Sequence, residues 1–292
     1  MTDTAADVAA EHPRLVSLAY RLLGTLADAE DAAQEAFTRW YRLTESERAA
    51  VRNPQAWLTR VVGRVGLDML GSARARREQY VGEWLPEPLP SDHLVVASAD
   101  PAGDAEQGEA VSTALLLMLE RLTPAERVAF VLHDVFAVPF DEIATLLDRT
   151  PAAARQLAAS ARRRAKGETG HPVARADHDA VVTAFGRACR DGDMHALLEV
   201  LGRDVVLRSD GGGVVSAARR PVQGADNVAR FLLGILGKYP TATVEDVQTT
   251  DGAGFLVRDG GAVLGVVNLG VTEGVASDVW VVMNPAKLGA WQ

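Results

Sequence analysis

The chain is organised around residues 122–166, LTPAERVAFVLHDVFAVPFDEIATLLDRTPAAARQLAASARRRAK. Apolar residues recur at helical spacing in three segments of this stretch, and Thr123-Pro124 and Thr150-Pro151 each supply an N-cap followed by a proline at the first helical position. The last segment carries five basic side chains and no acid. A short helix, a turn and a basic helix form a helix-turn-helix, which places its second helix in the major groove of DNA. An ordinary helical hairpin with a solvated basic face would have the same pattern, so the flanking sequence has to decide.

Charge is distributed unevenly along the 292 residues, which are enough for two or three domains. The net charge of −9 divides into +1 for residues 1–77, −9 for residues 78–120, +3 for residues 121–167 and −4 for residues 168–292. Basic side chains concentrate in Arg52–Arg77 and Arg149–Lys166. Two basic patches separated by an acidic tether predict two contacts to one polyanion, so the negative total does not exclude a nucleic-acid partner.

Cysteine content and the length of apolar runs argue against several classes of protein. The single cysteine, Cys189, excludes an internal disulfide and a thiolate metal cluster, and we expect it to be a small buried residue. No apolar run reaches the roughly 18 residues that span a bilayer, and the N-terminus lacks the hydrophobic core of a signal peptide. We therefore expect a cytoplasmic protein without a membrane contact.

The N-terminal 78 residues predict three helices. The first covers about Val8–Leu23, and the second covers Leu26–Leu43 with an apolar face and, on its N-terminal half, an acidic and amide face. Those acids suit the helix dipole, or they form a docking face for a partner. Thr44–Asn53 is expected to be a charged loop, and Asn53-Pro54 opens a third helix to about Glu78. Trp57 on that helix is either a core residue or a platform on which bases stack.

The rest of the chain predicts a linker, a second helical domain and an α+β domain. Residues 79–108 are acidic and proline-rich, and we expect their segment Trp84–Leu89 (WLPEPL) to dock onto a folded domain. A helix over Glu109–Arg121 begins the second domain, and a short linker, Gly167–Ala174, ends it. The C-terminal part predicts a cone with a curved antiparallel sheet. Its predicted helices are about Asp177–Arg190, His195–Leu201 and Gly224–Leu236, and its strands are Asp204–Ser209, Gly213–Ala217, Thr243–Thr249, Gly254–Arg258, Gly261–Leu269 and Val275–Asn284.

Three motifs in order resemble those of the extracytoplasmic-function sigma factors. Asp28–Phe37 is similar to that family's polymerase-binding helix, Asn53–Leu58 to the start of its promoter-melting helix, and Leu122–Arg127 to the start of its C-terminal DNA-binding domain. WLPEPL, Asp210–Gly213 (DGGG) and Asn284–Leu288 (NPAKL) resemble motifs of the SigJ-like subgroup, which carries a SnoaL-like C-terminal domain. Val214 stands where that subgroup usually has lysine, so no role of that lysine is carried over.

The resemblance implies a multidomain alternative sigma factor with two all-α sigma domains followed by an α+β cone. Residues 1–78 would bind core RNA polymerase and the −10 element, residues 79–108 would be the linker, residues 109–167 would bind the −35 element, and residues 172–292 would regulate the protein in cis. The partners would be core polymerase and promoter DNA, with no separate anti-sigma factor required. No catalytic residue, metal or cofactor is implied, and a small ligand in the C-terminal pocket stays open. The alternative is a helix-turn-helix regulator fused to a ligand-binding or enzymatic SnoaL-like domain.

Four sets of candidate residues follow. The polymerase contact would use Asp28, Asp31, Gln34 and Glu35. The −10 contact would use Arg52, Asn53, Trp57, Arg60 and Arg64. On the recognition helix, Arg155 and Gln156 suit guanine and adenine edges respectively, and the full −35 set is Arg155, Gln156, Ser160, Arg162, Arg163 and Lys166. The interdomain regulatory set is Trp84, Leu85, Pro86, Asp210, Gly211, Gly212, Asn284, Pro285 and Lys287.

Overall fold

The computed structural model describes residues 8–78, 80–94, 111–166 and 173–292, and only the backbone of residues 73–78 and 166. Contacts group the chain into two compact units. Unit 1 comprises Met1–Glu78, Leu94–Val111 and Leu115–Glu168, and unit 2 comprises Gln79–His93, Ser112–Ala114 and Thr169–Gln292. The second part of the predicted linker (95–108), the predicted helix start at 109–110 and most of the predicted connection after 167 lie outside the described residues.

Unit 1 is helical, which confirms the prediction that the two N-terminal domains are all-α. Its helices are α1 (His12–Leu23), α2 (Leu26–Arg42), α3 (Glu45–Ala50), α4 (Pro54–Glu78), α5 (Thr113–Glu120), α6 (Pro124–Phe130), α7 (Phe140–Leu147) and α8 (Pro151–Lys166), with one π-helical turn at Val131–Val135. The prediction of a loop at Thr44–Asn53 is wrong, because this segment contains α3. The side chain of Thr44 accepts from the backbone of Glu47 while Glu47 accepts from Thr44, and this capping box starts the helix.

Helix α4 packs against α1 and α7 at two glycines. A Cβ atom at Gly63 would lie 2.8 Å from Leu146 Cδ1, and one at Gly66 would lie 2.8 Å from Leu22 Cδ1. Contacts this short exclude a larger side chain without movement of the neighbour. Small residues at these two positions therefore allow α4 to approach α1 on one side and α7 on the other.

Unit 2 is an α+β fold with one six-stranded sheet. Its elements are α9 (Arg175–Asp191), α10 (Met194–Val200), β1 (Leu201–Asp210), β2 (Val222–Gln223), α11 (Ala225–Leu236), β3 (Thr243–Thr249), β4 (Gly252–Asp259), β5 (Ala262–Thr272) and β6 (Val275–Val282), followed by two 3-10 turns, Pro285–Lys287 and Gly289–Trp291. The strand order is β2-β1-β6-β5-β4-β3. β1 and β6 pair in parallel and the other neighbours are antiparallel, so the prediction of a wholly antiparallel sheet is wrong.

The predicted strand at Gly213–Ala217 is also wrong. Gly212 and Gly213 adopt positive φ angles of 64° and 73°, which turn the chain instead of extending it. The second strand is the short β2. The remaining predicted helices and strands of unit 2 are present with boundaries shifted by up to three residues.

The core of unit 2 lies between the helices and one face of the sheet. Phe185 from α9 stacks on Phe255 from β4 with ring centroids 5.9 Å apart, and Leu197 and Val228 from α10 and α11 are fully buried in the same cluster. Burial of such side chains is the main stabilising contribution to the fold. No helix in the described ranges combines the length and hydrophobicity that a bilayer span requires.

Within unit 2, a partly buried carboxylate joins the turn between β3 and β4 to Thr113. Asp251 accepts hydrogen bonds from the backbone nitrogen and hydroxyl of Thr113 at 2.6 and 2.7 Å and from Nδ2 of Asn268 at 2.6 Å. Burial raises the pKa of Asp251 to about 6, although these donors and His178 oppose the rise. The folded protein therefore binds a proton at Asp251 at a higher pH than the unfolded chain does.

We expect Asp251→Asn to change the pH dependence of stability. A raised pKa in the folded state contributes stability that is present below the ordinary aspartate pKa and is lost as the pH rises through about 6. Relative to the neutral asparagine variant, the wild-type free energy of unfolding should fall between pH 5 and pH 7. Urea unfolding at these pH values measures the difference, with Asp226→Asn, an exposed aspartate on α11, as the control. Parallel pH profiles for wild type and Asp251→Asn would contradict the assignment.

Candidate functional sites

One side of α2 is packed and the opposite side carries acid and amide side chains. Ala29, Ala33 and Trp40 are buried. Asp31 and Gln34 are exposed on the other side. In the same predicted set, Glu35 pairs with Arg39 at 2.8 Å, and Asp28 accepts from the hydroxyl of Thr25 at 2.7 Å. Of the four predicted residues, Asp31 and Gln34 are therefore the most accessible.

The start of α4 is capped and packed against α2. Asn53 accepts from the backbone nitrogen of Ala56 at 3.1 Å, which caps the helix. The ring of Trp57 meets that of Trp40 edge to face, with centroids 5.3 Å apart. Trp57 therefore contributes to packing between α2 and α4, while Arg52 and Asn53 remain exposed.

Further along α4, two arginines contact α7. Arg60 forms an ion pair with Glu142 at 3.4 Å, and Arg64 donates to the carbonyl of Leu146 at 3.0 Å. Gly63 lies between them on the packed side of the helix. Both side chains that the sequence predicts as phosphate contacts are thus engaged inside unit 1.

A buried arginine makes a second connection within unit 1, between α6 and α1. Arg127 in α6 donates to the carbonyl of Leu22 at the end of α1 at 2.8 Å and to Glu120 at 2.6 Å. Arg127 is 3% exposed, so these bonds are sheltered from solvent. Charge-assisted hydrogen bonds of this kind are stronger than neutral ones.

The helix-turn-helix has the predicted form. Asp148 ends α7 in the left-handed conformation with φ 54°, and the hydroxyl of Thr150 accepts from the nitrogen of Ala153 at the start of α8. The inward stripe of α8 is buried at Ala154, Ala158 and Ala161. Arg155 and Gln156 point outward and are exposed, and the Arg155 guanidinium lies 5.6 Å from the centre of the Phe140 ring.

The other predicted −35 residues differ in what they contact. Ser160 donates to Glu126 at 2.8 Å, and Arg162 binds Asp134 at 2.6 Å through a hydrogen bond that raises the pKa of this guanidinium. Arg163 is exposed, and the side chain of Lys166 lies outside the described part of the structure. Ser160 and Arg162 are therefore engaged inside unit 1.

In unit 2 the predicted interdomain residues meet around a buried carboxylate. Asp210, which is fully buried, accepts from Lys287 Nζ at 2.7 Å, from the Tyr80 hydroxyl at 2.5 Å, and from the backbone nitrogens of Leu85 and Gly212 at 3.0 and 2.9 Å. Burial and the bond to Asp210 raise the pKa of Tyr80, so the phenol stays protonated. Four donors from three segments of the chain thus stabilise one carboxylate.

Lys287 also holds the linker directly. Its ammonium donates to the Leu85 carbonyl at 2.5 Å and lies 4.2 Å from the centre of the Trp84 ring, a cation–π geometry. Asn284 donates to the Tyr80 hydroxyl at 2.8 Å and caps the Pro285–Lys287 turn. The WLPEPL segment is consequently docked on the α+β fold, as the sequence predicts.

The glycines of the DGGG motif are required by close approach. A Cβ atom at Gly211 would lie 2.2 Å from the Val215 carbonyl oxygen, and one at Gly212 would lie 2.5 Å from the Asn284 side chain. Val214, in contrast, is 80% exposed. Pro86 is buried in the docked segment and Pro285 is exposed.

Sequence reasoning missed two residues of this site, Tyr80 and Trp291. Trp291 donates from its indole nitrogen to the Pro88 carbonyl at 2.8 Å. Tyr80 stands just before the recognised motif, and Trp291 stands just after the NPAKL motif. The pairing of aromatic donors with linker groups far away in sequence has no local signal.

An apolar cavity of about 70 Å³ lies between the sheet and the helices of unit 2. Its lining includes Phe185, Cys189, Leu232, Tyr239, Phe255 and Met283. Burial raises the pKa of Cys189 to about 12, so its thiol is protonated at neutral pH. The lining residues include no carboxylate and no histidine, and Asp210 is not among them.

Two helical regions of the chain match models of known protein families. Residues 8–76 match the family model of Sigma-70 region 2, and residues 112–164 match that of Sigma-70, region 4. The chain is 40% identical to the ECF RNA polymerase sigma factor SigJ of Mycobacterium tuberculosis, over 94% of this chain and 89% of SigJ. The chain belongs to the extracytoplasmic-function sigma factors. Sigma factors bind core RNA polymerase and promoter DNA, and this sigma factor carries both regions needed for that activity.

Two further similarities cover the whole chain. The sigma factor is 37% identical to a probable ECF RNA polymerase sigma factor, SigI of M. tuberculosis, over 94% of this chain and 91% of SigI. The crystal structure of M. tuberculosis SigJ superimposes with a TM-score of 0.74 at 35% identity and covers 98% of both chains. The similarity thus extends through the SnoaL-like C-terminal domain.

We expect Lys287→Met to destabilise unit 2. Removing the ammonium leaves the buried Asp210 carboxylate without its charged partner, which should cost about 3–5 kcal/mol in the free energy of unfolding. The double variant Asp210→Asn/Lys287→Met should lose less than the sum of the two single variants, because the two residues interact. Chemical denaturation measures these values, with exposed Lys238→Met as the control. Equal unfolding midpoints for Lys287→Met and Lys238→Met would contradict this account.

Proposed function

We propose that this sigma factor docks on core polymerase through α2 and reads the −35 element through α8. The supporting observation is that predicted contact residues are exposed on both helices. Asp31 and Gln34 are exposed on α2, and Arg155 and Gln156 are exposed on α8. Asp28 and Glu35 complete the docking face at its edges. Arg155 would donate two hydrogen bonds to guanine and Gln156 would pair with adenine, while Arg163, Arg162 and Lys166 would hold phosphates.

The −10 element would meet the segment from α3 to the first turns of α4. Unstacking a base costs a few kcal/mol, so its capture requires a surface that compensates this cost. No residue of Glu45–Ala50 is buried, and Arg52 and Asn53 follow in the exposed connection to α4. Arg60 and Arg64 would then hold the phosphates of the opened strand, and Trp57 would support the start of α4 from inside.

We further propose that unit 1 is closed in the free protein and opens on polymerase. Arg60 and Arg64 contact α7 of the helix-turn-helix part, so strand phosphates would compete with Glu142 and the Leu146 carbonyl for the same donors. The exposed ion pair contributes about 1 kcal/mol or less. Opening would also break the sheltered Arg127 bonds and the packing of α4 on α7, so polymerase binding would have to supply more than the ion pair alone. Opening would release both arginines for the promoter.

The SnoaL-like domain would regulate the sigma factor in cis by holding the linker, so that no separate anti-sigma factor is required. The sheltered contacts of Asp210 and Lys287 with Tyr80, Trp84 and Leu85 support this role. The protein would act in the cytoplasm, where core polymerase works, and without enzymatic turnover. The apolar cavity would admit a small apolar ligand.

Run-off transcription tests the proposed function. The purified chain should bind core polymerase and start transcripts from a cognate promoter, and Asp31→Arg should reduce core binding. A helix-turn-helix regulator would instead bind duplex DNA without polymerase and would start no transcript. Lys287→Met, which frees the linker, should alter the rate of initiation relative to Lys238→Met, and an unaltered rate would contradict regulation through the docked linker.

We expect Arg155→Ala to relax sequence preference and Arg163→Ala to weaken binding to all sequences alike. A bidentate contact to guanine discriminates by roughly 1–3 kcal/mol, whereas a phosphate contact carries no sequence information. Holoenzyme binding to a panel of mutated −35 elements measures both effects. If the two variants lose discrimination equally, this division of roles is wrong.

We expect Glu142→Arg to open unit 1. The new cation faces Arg60 and replaces an attraction by a repulsion, so binding of the free protein to an opened −10 strand should increase about threefold or more. Asp141→Arg is the matched control, since Asp141 is exposed, lies in the same first turn of α7 and undergoes the same charge change. Fluorescence anisotropy with single-stranded −10 DNA measures the effect. Equal affinities of the two variants would contradict the closed form.

A further inference from the structure

Tyr41 presents an aromatic ring to solvent near the end of α2. Tyr41 is 52% exposed. Among the described residues, the other large hydrophobics of comparable exposure are Val81 and Val214, both in unit 2. Single exposed hydrophobic residues are common on protein surfaces and need no special explanation. The role of Tyr41 therefore depends on its position relative to its neighbours on the helix.

The register of α2 places Tyr41 on the face proposed to contact polymerase. Gln34, Thr38 and Tyr41 follow one another at i, i+4 and i+7, so they form one stripe along the helix. The buried side of the helix is formed by Ala29, Ala32, Ala33, Ala36 and Trp40. Seven residues at 1.5 Å per residue put Tyr41 about 10 Å beyond Gln34, within the span of an ordinary interface.

The chemistry of the stripe changes along its length. Its N-terminal part is acidic and amide, with Asp31 and Gln34 exposed. Beyond Glu35, which is paired with Arg39, α2 has no further acid, and Tyr41 supplies the large apolar group. Protein interfaces commonly combine a polar periphery with aromatic anchors, and tyrosine is enriched among the residues that dominate binding energy.

We infer that Tyr41 is an aromatic anchor of the polymerase contact, inserted into an apolar depression on core polymerase at the end of the α2 face. This inference rests on the docking role proposed for α2. The competing assignment is a stacking platform for bases of the opened −10 strand. Trp40, the neighbour of Tyr41, packs on Trp57 at the start of α4, but on a side of α2 about 100° away from Tyr41, so the register favours polymerase.

The test measures the affinity of the full-length chain for core polymerase without DNA. Tyr41→Ala should weaken binding by about tenfold or more, whereas Tyr41→Phe, which keeps the ring, should stay within about threefold of wild type. Val214→Ala removes a comparably exposed apolar side chain in unit 2 and serves as the control. Thermal unfolding of each variant verifies that folding is unchanged. Tyr41→Ser provides a second variant that lacks the ring.

The outcomes separate this inference from the proposed function. Weaker core binding by Tyr41→Ala and Tyr41→Ser, with Tyr41→Phe near wild type, supports the anchor. Unchanged core affinity together with a loss by Asp31→Arg overturns the anchor and leaves the docking face in place. Unchanged core affinity together with weaker holoenzyme binding to an opened −10 strand assigns the ring to DNA and also overturns the anchor. If Asp31→Arg is without effect as well, the docking role of α2 itself is wrong.

Discussion

The buried carboxylate of Asp210 is the interaction on which unit 2 depends. A charge removed from water destabilises a fold unless hydrogen bonds and an opposite charge replace its hydration. Here the ammonium of Lys287, the phenol of Tyr80 and two backbone nitrogens provide that replacement. The donors come from the linker, the glycine turn and the C-terminal motif, so satisfying one buried charge joins three distant segments.

Unit 1 has a different organisation, because its two proposed functional surfaces differ in accessibility. Asp31 and Gln34 on the proposed docking face of α2 are exposed, whereas Arg60 and Arg64 are engaged with α7. Polymerase can therefore reach its proposed contact in the closed form, while the opened promoter strand meets donors that are already occupied. This asymmetry favours an order in which polymerase binds first and the −10 strand second. Binding in that order would limit unproductive association of the free protein with DNA.

Local patterns explain why much of the fold was predictable. Helix periodicity, the Thr123 and Thr150 caps and the alternating strands of the C-terminal half depend on neighbouring residues, and these elements are present. The capping box of Thr44 and Glu47 was also visible in the sequence but was overlooked in favour of a loop. Asp31 and Gln34 on α2 and Arg155, Gln156 and Arg163 on α8 lie on exposed faces as expected, since helical spacing determines a face. Ser160 and Arg162 of the same α8 set are instead engaged inside unit 1.

Long-range pairings were beyond the reach of such patterns. Arg60 and Glu142 are 82 residues apart, and Tyr80 and Asp210 are 130 residues apart. Their contacts depend on how the elements pack, and neither residue type nor spacing indicates the partner. The parallel pairing of β1 with β6 is of the same kind, since it requires knowing how the chain returns to the first strand.

The docked linker has a geometric consequence for promoter choice. From Tyr80 to Ser91 the chain is held against unit 2, ending in the hydrogen bond from Ser91 to the Gln248 carbonyl. Twelve residues of released chain would extend to about 40 Å. Holding or releasing this segment thus sets the contour length of chain available between α4 and α5. With the proposed roles of α4 and α8, the linker contacts would thereby limit the spacing at which the −10 and −35 contacts can form together.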